Sequence, residues 1–186
     1  MNYCLGGSAL GSLENGICCI LPESLESPPF YTGEPMLSQW VQPPLDVIDG
    51  EICDVISYRP GALIFSKHAM DVTLPFIKNE VEFLPISLKG MGELFVLNVV
   101  NVIDCLDMGK SEVRYHADGQ TVRTIRDYKF YENMLDGVCL FKIPQSAGGE
   151  ILATEKFKCI MDELNLKGFK AYPLFGQEKR KGVGDI

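Results

Sequence analysis

The feature that most restricts the fold of this chain is a pair of apolar segments joined by Lys89-Gly90-Met91-Gly92. Residues 80–88 alternate apolar and polar side chains, as a strand with one buried face does. Residues 93–100 are nearly continuously apolar, which is typical of a strand covered on both faces. The two segments therefore predict a hairpin in the core, with Pro85 marking a sheet edge or a bulge because proline donates no ladder hydrogen bond.

A second hairpin is predicted at Asp118-Gly119, a pair that accepts the positive φ angles of a tight turn, between residues 112–117 and 120–131. Three further stretches have the length and apolar content of short strands. They are residues 52–57, 137–143 and 169–175.

Two helices are predicted by apolar spacing and by their first residues. Ser66 can accept a hydrogen bond from the first turn of one helix, whose stripe would be Met70, Leu74 and Ile77, with a kink or an end near Pro75. Thr154 precedes the other helix. Its apolar residues follow the i, i+3, i+4, i+7 spacing at Phe157, Ile160, Met161 and Leu164. Together these elements predict an α+β fold with a largely antiparallel sheet and two main helices.

We expect a single domain over residues 1–186, since one core commonly forms from about 100–200 residues. Its first part, residues 1–50, is an acidic, proline-rich lead-in, and residues 176–186 form a flexible tail. Seven of the eleven prolines lie within residues 1–60. Because proline restricts φ and removes a donor, this third of the chain is predicted to be rich in loops.

The charge of the chain is concentrated in the same third. The net charge is −8, and residues 1–60 hold eight acids against one base, whereas residues 61–186 hold 17 acids against 16 bases. A solvated acidic face is one interpretation; a surface that attracts a basic protein is the other. Under the second, the predicted partner-binding residues are Glu23, Glu26, Glu34, Trp40, Asp46, Asp49 and Glu51. Trp40 can alternatively be a core residue.

Several kinds of chemistry are disfavoured by the sequence. Gly6–Gly11 lacks the lysine and the following helix of a phosphate-binding loop, and the basic run at 178–181 is too short for a nucleic-acid surface. The seven cysteines form no Cys-x-x-Cys pair, and neither His68 nor His116 has a second ligand at a metal-binding spacing. We therefore expect no cofactor, no metal, no nucleic acid and no catalytic residues.

A cytoplasmic location is expected, without membrane contact. The odd number of cysteines excludes complete pairing within the chain and favours reduced thiols. The first 20 residues lack a basic start, and no run reaches the roughly 18 apolar residues that span a bilayer.

The order of three sequence segments resembles a known family. These are Phe65-Ser66-Lys67; the stretch from Glu82-Phe83-Leu84-Pro85-Ile86 through Leu97-Asn98-Val99-Val100 to Asp104-Cys105-Leu106-Asp107; and Thr154-Glu155-Lys156-Phe157 followed by Leu166-Lys167-Gly168-Phe169. Over residues 52–175 they resemble immunity-protein family eleven of bacterial polymorphic-toxin systems, formerly a domain of unknown function. The resemblance implies a small protein that binds and neutralises a cognate toxin by covering its surface, and it transfers no catalytic residue.

Two alternatives to toxin binding stay open from the sequence. One is an enzyme with Cys105 or Cys139 as nucleophile and His116 as base, since a reactive thiolate needs an adjacent base. The other is a structural or regulatory subunit that forms a homodimer by pairing an exposed edge of the apolar hairpin.

Overall fold

The structure, a computed structural model, describes residues 1–5, 19–20, 32–43, 45–47, 53–59, 61–88, 90, 92–146 and 150–174. In chain order the strands are β1 (Asn2–Leu5), β2 (Cys19–Ile20), β3 (Asp46–Val47), β4 (Val55–Arg59), β5 (Ala62–Ser66), β6 (Val81–Ser87), β7 (Glu93–Val99), β8 (Glu112–Tyr115), β9 (Val122–Asp127), β10 (Leu140–Phe141), β11 (Ile151–Thr154) and β12 (Ala171–Pro173). The helices are α1 (Lys67–Ile77) and α2 (Glu155–Leu164), and short 3-10 turns span Leu37–Gln39, Glu132–Leu135 and Pro144–Ser146.

The first sheet has the strand order β4-β5-β7-β6, with every neighbouring pair antiparallel. The apolar hairpin of the sequence is β6–β7, in register from Val81↔Val99 to Ser87↔Glu93. Leu97 and Val99 of β7 pack on one face of the sheet and Leu94 and Val96 on the other, so both faces are covered, which explains the nearly continuous apolar sequence. Pro85 lies on β6, the edge strand, as its missing N–H predicts.

The second sheet has the order β10-β11-β1-β12, also antiparallel. β1, one of its two inner strands, was not predicted, because four residues, Asn2–Leu5, are too few for a periodicity to show. The predicted strand at 137–143 is correct only at Leu140–Phe141, and that at 169–175 only at Ala171–Pro173. β8 and β9 form the second predicted hairpin, with Gly119 at a φ of 68° in its turn.

Three apolar clusters hold these layers together. The inner cluster joins one face of each sheet to both helices, and it includes Phe65, Leu97, Ile151 and Phe157. The first outer cluster lies on the other face of the first sheet, and the second outer cluster on the other face of the second sheet. Members of the first outer cluster include Ile64, Leu84 and Val96; members of the second include Phe141, Leu152 and Ile125.

Glu80 connects the two sheets through polar contacts. Its carboxylate accepts hydrogen bonds from the N–H groups of Cys139 (2.9 Å) and Leu140 (2.7 Å), and its carbonyl accepts from Val100 and Asn101. Burial raises the pKa of the Glu80 carboxyl, while the two N–H donors act in the opposite direction. The carboxylate thus satisfies backbone donors where β10 begins.

A buried lysine lies at the other end of β10. Lys142 is fully buried, and its Nζ donates to the carbonyl of Gly61 at 3.1 Å, in the turn between β4 and β5. Burial lowers the pKa of Lys142 to about 8, because the charged amine loses solvation.

α1 begins as predicted: the hydroxyl of Ser66 accepts from the N–H of Ala69 at 3.1 Å. The predicted stripe is partly wrong, because the buried positions are Ala69, Thr73 and Ile77, whereas Leu74 is exposed. The helix also continues past Pro75 to Ile77. The helix ends two residues after Pro75, in agreement with the end predicted near that proline.

α2 buries Phe157 and Met161 as its spacing predicts. Thr154 is its first flanking residue, but its hydroxyl donates to the carbonyl of Val138 at 2.7 Å instead of capping the helix. The prediction of an α+β fold with antiparallel sheets and two helices is confirmed. Among the described residues, no helix has the length and apolar character needed to cross a membrane.

Candidate functional site

Residues 32–43, here called the anchored segment, lie across the outer face of the first sheet. Two polar residues, Glu82 on β6 and Asn98 on β7, are direct cross-strand partners on that otherwise apolar face. The carboxylate of Glu82 accepts from the N–H of Met36 (2.6 Å) and of Leu37 (3.3 Å), and Asn98 donates its side-chain amide to the carbonyl of Glu34 (2.9 Å). Glu82 and Asn98 therefore provide hydrogen-bond partners for backbone groups of the anchored segment, which is not paired with a strand.

The anchored segment also covers part of the free edge of β6. The indole N–H of Trp40 donates to the carbonyl of Pro85 at 2.8 Å. The side-chain amide of Gln42 accepts from the N–H of Ser87 (2.7 Å) and donates to its carbonyl (3.0 Å). Side chains thus take the hydrogen bonds that an added strand would take, which protects this edge from pairing with another chain.

The entry of the anchored segment requires glycine. Gly33 is buried and has a φ of 100°, a conformation that side chains rarely adopt. A Cβ built there would lie 2.2 Å from the Cγ2 atom of Val102. The close approach places the chain on its path toward Glu82 and Asn98.

The outward side of the anchored segment is both apolar and acidic. Val41 is 82% exposed and Leu37 is 51% exposed, and the side chain of Glu34 is also exposed. Met36 and Trp40 are half-buried and pack against the first outer cluster. The segment therefore holds two aliphatic side chains and a carboxylate in water on a backbone that is fixed from beneath.

The structure brings together only part of the predicted partner-binding set. Glu34 and Trp40 lie in the anchored segment, and the backbone of Asp46 lies in β3, paired with β2. The other four, Glu23, Glu26, Asp49 and Glu51, lie outside the described residues, as does the Gly6–Gly11 stretch. Trp40 has both features that the sequence left open, a ring packed on the core and a partly accessible surface.

Sequence reasoning did not identify Glu82, Asn98 and Gln42 as the residues that hold this surface. A signal was present for Asn98, a lone amide within the apolar run of β7. Such a residue must be paired when it is buried, and Asn98 is fully buried. The partner could not be read from the sequence, because Glu34 is 64 residues away.

The two candidate nucleophiles are buried thiols. Burial raises the pKa of Cys105 to about 11, and burial followed by the charge of Glu80 raises the pKa of Cys139. His116 is exposed in the turn of the β8–β9 hairpin. The described residues contain no hydrogen bond between either thiol and an imidazole, so this pairing has none of the geometry that an activated thiolate requires.

No metal centre is formed among the residues that the structure describes. Histidine, cysteine, aspartate and glutamate side chains do not gather in groups of three in that part of the chain. His68 is exposed on α1.

The accessible feature that the described residues build is thus the outward side of the anchored segment, held from beneath by Glu82 and Asn98. The model of the immunity protein family Imm11 matches residues 75–174, more than half of the 186 residues. The chain belongs to this immunity protein family, which confirms the resemblance seen in the sequence. A search of curated proteins finds no match.

Proposed function

We propose that this protein is a cytoplasmic immunity protein that binds a cognate toxin and neutralises it by covering the toxin's active surface. Family membership supports the general role. The observation that carries the proposed mode of binding is the anchored segment, which exposes Leu37 and Val41 while its backbone is held by Glu82 and Asn98. A surface fixed before binding loses less conformational entropy when the partner arrives.

The anchored segment has the composition of a binding surface. Exposed aliphatic side chains beside a partly accessible tryptophan form the kind of apolar centre in which binding energy concentrates. Trp40 is kept in place by its hydrogen bond to Pro85, so its accessible edge has a fixed orientation. We infer that Leu37, Trp40 and Val41 lie at the centre of the toxin contact.

We infer that the acids of the first third of the chain favour a toxin with a basic contact surface. Glu34 belongs to the anchored segment, and the chain around it is strongly acidic. Charges at the rim of an interface mainly raise the association rate. The acids proposed to contact the toxin are Glu23, Glu26, Glu34, Asp46, Asp49 and Glu51.

The observations favour toxin binding over the two alternatives from the sequence. Raised thiol pKa values at Cys105 and Cys139 argue against a cysteine nucleophile at neutral pH. Side-chain hydrogen bonds to Pro85 and Ser87 argue against β6 as the edge that pairs two copies. We therefore propose a protein without catalytic activity, cofactor or metal, and a role that does not depend on self-association through this edge.

Co-expression tests the proposed function. We expect the neighbouring gene to encode the cognate toxin; its toxic domain is expressed alone and together with this protein, and growth is measured. We expect growth to be restored by the wild type and by Cys105→Ala and Cys139→Ala variants that fold. Loss of protection in a folded cysteine variant would favour the enzyme, and no protection by the wild type would contradict toxin neutralisation.

The charge of the contact is tested by association kinetics with the same toxic domain. A triple reversal of Glu34, Asp46 and Asp49 to lysine should slow association and flatten its dependence on salt, since screening acts on exposed charges. A matched triple reversal of Glu93, Asp136 and Glu163, which are exposed elsewhere, should leave the rate near the wild-type value. Equal effects of the two triple variants would show that net charge, and no particular surface, governs association.

A further inference from the structure

The β8–β9 hairpin is a separate two-stranded sheet and carries a concentration of arginine. Three of the five arginines of the chain, Arg114, Arg123 and Arg126, lie in its two strands. One face is attached to the body, because Val113, Val122 and Ile125 contribute to the second outer cluster. The three arginines are exposed.

Four acids in or beside the hairpin are engaged locally. Glu112 pairs with Arg126 at 3.6 Å, Asp127 with Lys129 at 3.0 Å, and Asp107 with Lys110 at 3.0 Å. Asp118 accepts hydrogen bonds from the backbone N–H groups of Gln120 and Thr121, both at 2.9 Å, and from the Thr121 hydroxyl.

Within the described part of the chain, Arg126 forms an ion pair, whereas the other two hairpin arginines, Arg114 and Arg123, form none. They lie close together in the ladder. Arg114 pairs with Thr124, Tyr115 pairs with Val122, and Arg123 is the extra residue of the bulge between these pairs. Since adjacent strands are about 4.8 Å apart, the two guanidinium groups can reach the same ligand.

We propose that Arg114 and Arg123 form a second interaction surface, which binds a carboxylate-rich segment of a partner protein. The guanidinium fork matches a carboxylate in a bidentate manner. Tyr115, the residue after Arg114 in β8, is 44% exposed. This surface is separate from the anchored segment, which covers the other sheet, and the proposal does not depend on the identity of the toxin.

An acidic protein segment fits this surface better than a nucleic acid does. Affinity for nucleic acid grows with the number of phosphates that are neutralised, and typical sites use about 6–10 phosphate contacts. The hairpin offers two unpaired arginines on a chain of net charge −8. Two guanidinium groups suffice for one or two carboxylates.

NMR on the ¹⁵N-labelled full chain tests the proposal, with acetylated hexaglutamate as the probe at low salt. We expect saturable shifts of the Arg114 and Arg123 Nε–H signals and of the Tyr115 and Thr124 amides. R114Q/R123Q should weaken binding by roughly tenfold or more. K78Q/K170Q, which removes the same charge from exposed positions elsewhere, should bind as the wild type does.

An oligothymidylate of equal charge is the comparison ligand, and it should shift the hairpin signals less at every concentration. Hexaglutamate shifts that are absent, that map elsewhere, or that weaken equally in both double variants would overturn the assignment. Tighter or equal binding of the oligothymidylate would overturn it in favour of a phosphate ligand.

Discussion

The side chain of Gln42 pairs with the backbone of Ser87 as a neighbouring strand would, accepting from its N–H at 2.7 Å and donating to its carbonyl at 3.0 Å. Together with the contact between Trp40 and Pro85, this pairing satisfies outward groups of β6 without adding a strand. The same contacts fix the anchored segment, so protection of the sheet edge and presentation of the proposed binding surface share one set of hydrogen bonds.

Replacing Gln42 with alanine should open the edge at Ser87. Two partly exposed hydrogen bonds are lost, so we expect the free energy of unfolding to fall by about 1 kcal/mol. Self-association should increase, because the free backbone groups can pair with another chain. Chemical denaturation and sedimentation velocity measure the two effects, with Gln39→Ala in the exposed turn of the same segment as control. A Gln42→Ala protein with unchanged stability would show that the pairing contributes nothing.

A Gly33→Ala substitution should destabilise the protein by steric overlap with Val102. The new Cβ would lie 2.2 Å from a methyl carbon, at a φ unfavourable for alanine. We expect a loss of about 2 kcal/mol or more, partly recovered by adding Val102→Ala. Gly92→Ala is the matched control, because Gly92 also has a positive φ but meets nothing within 4 Å. Equal losses of unfolding free energy in Gly33→Ala and Gly92→Ala would show that the overlap with Val102 does not contribute.

Glu80→Ala should destabilise the junction of the two sheets. It leaves the N–H groups of Cys139 and Leu140 without their carboxylate acceptor, and we expect a loss of about 3 kcal/mol. Thermal or chemical unfolding measures it, with Glu93→Ala at an exposed strand end as control. A loss no larger than that of the control would mean that water replaces the carboxylate.

Lys142 should make the free energy of unfolding depend on pH in the alkaline range. Its pKa is about 8 in the folded protein and near 10.5 when solvated. Between these values the unfolded state binds more protons, so the free energy of unfolding rises with pH; below about pH 8 the amine is protonated in both states and contributes no slope. The stability gained by deprotonating Lys142 is fully present above the pKa of the unfolded state, near 10.5, and it is lost as the pH falls through the folded-state pKa of about 8.

The test compares wild type with Lys142→Met across that range. The buried thiols act in the opposite direction above pH 9, since their pKa values are raised, but they cancel in the difference between the two proteins. We expect the difference to change by about 3 kcal/mol in favour of the wild type as pH rises from 7.5 to 10.5. A pH-independent difference would contradict the burial of the charged amine.

The sequence was sufficient for elements whose own residues carry the pattern. The β6–β7 hairpin and α2 show their periodicity locally, and Ser66 acts within one turn of its own helix. The stripe of α1 was misjudged because Ala69 and Thr73, small residues with a weak apolar signal, are the ones that face the inner cluster. Ala69 and Thr73 are buried because α1 lies close to the sheet, and their hydropathy alone does not indicate this.

The candidate site was less predictable for a different reason. Glu34 and Trp40 could be selected from charge and residue type, but the contacts that fix them join residues 45 to 64 positions apart. Glu82 and Gln42 look like ordinary surface residues in the sequence. Their role follows from the antiparallel pairing of β6 with β7, which puts Glu82 beside Asn98.

The most direct test of the central claim is the affinity of the full chain for the proposed cognate toxic domain, measured by isothermal titration calorimetry. The wild type should form a saturable complex, and L37S/V41S should weaken it by roughly a hundredfold. L74S/F76S, which alters two exposed apolar residues on α1, should bind as the wild type does. Absence of a wild-type complex, or equal affinity of L37S/V41S and the wild type, would contradict toxin recognition through the anchored segment.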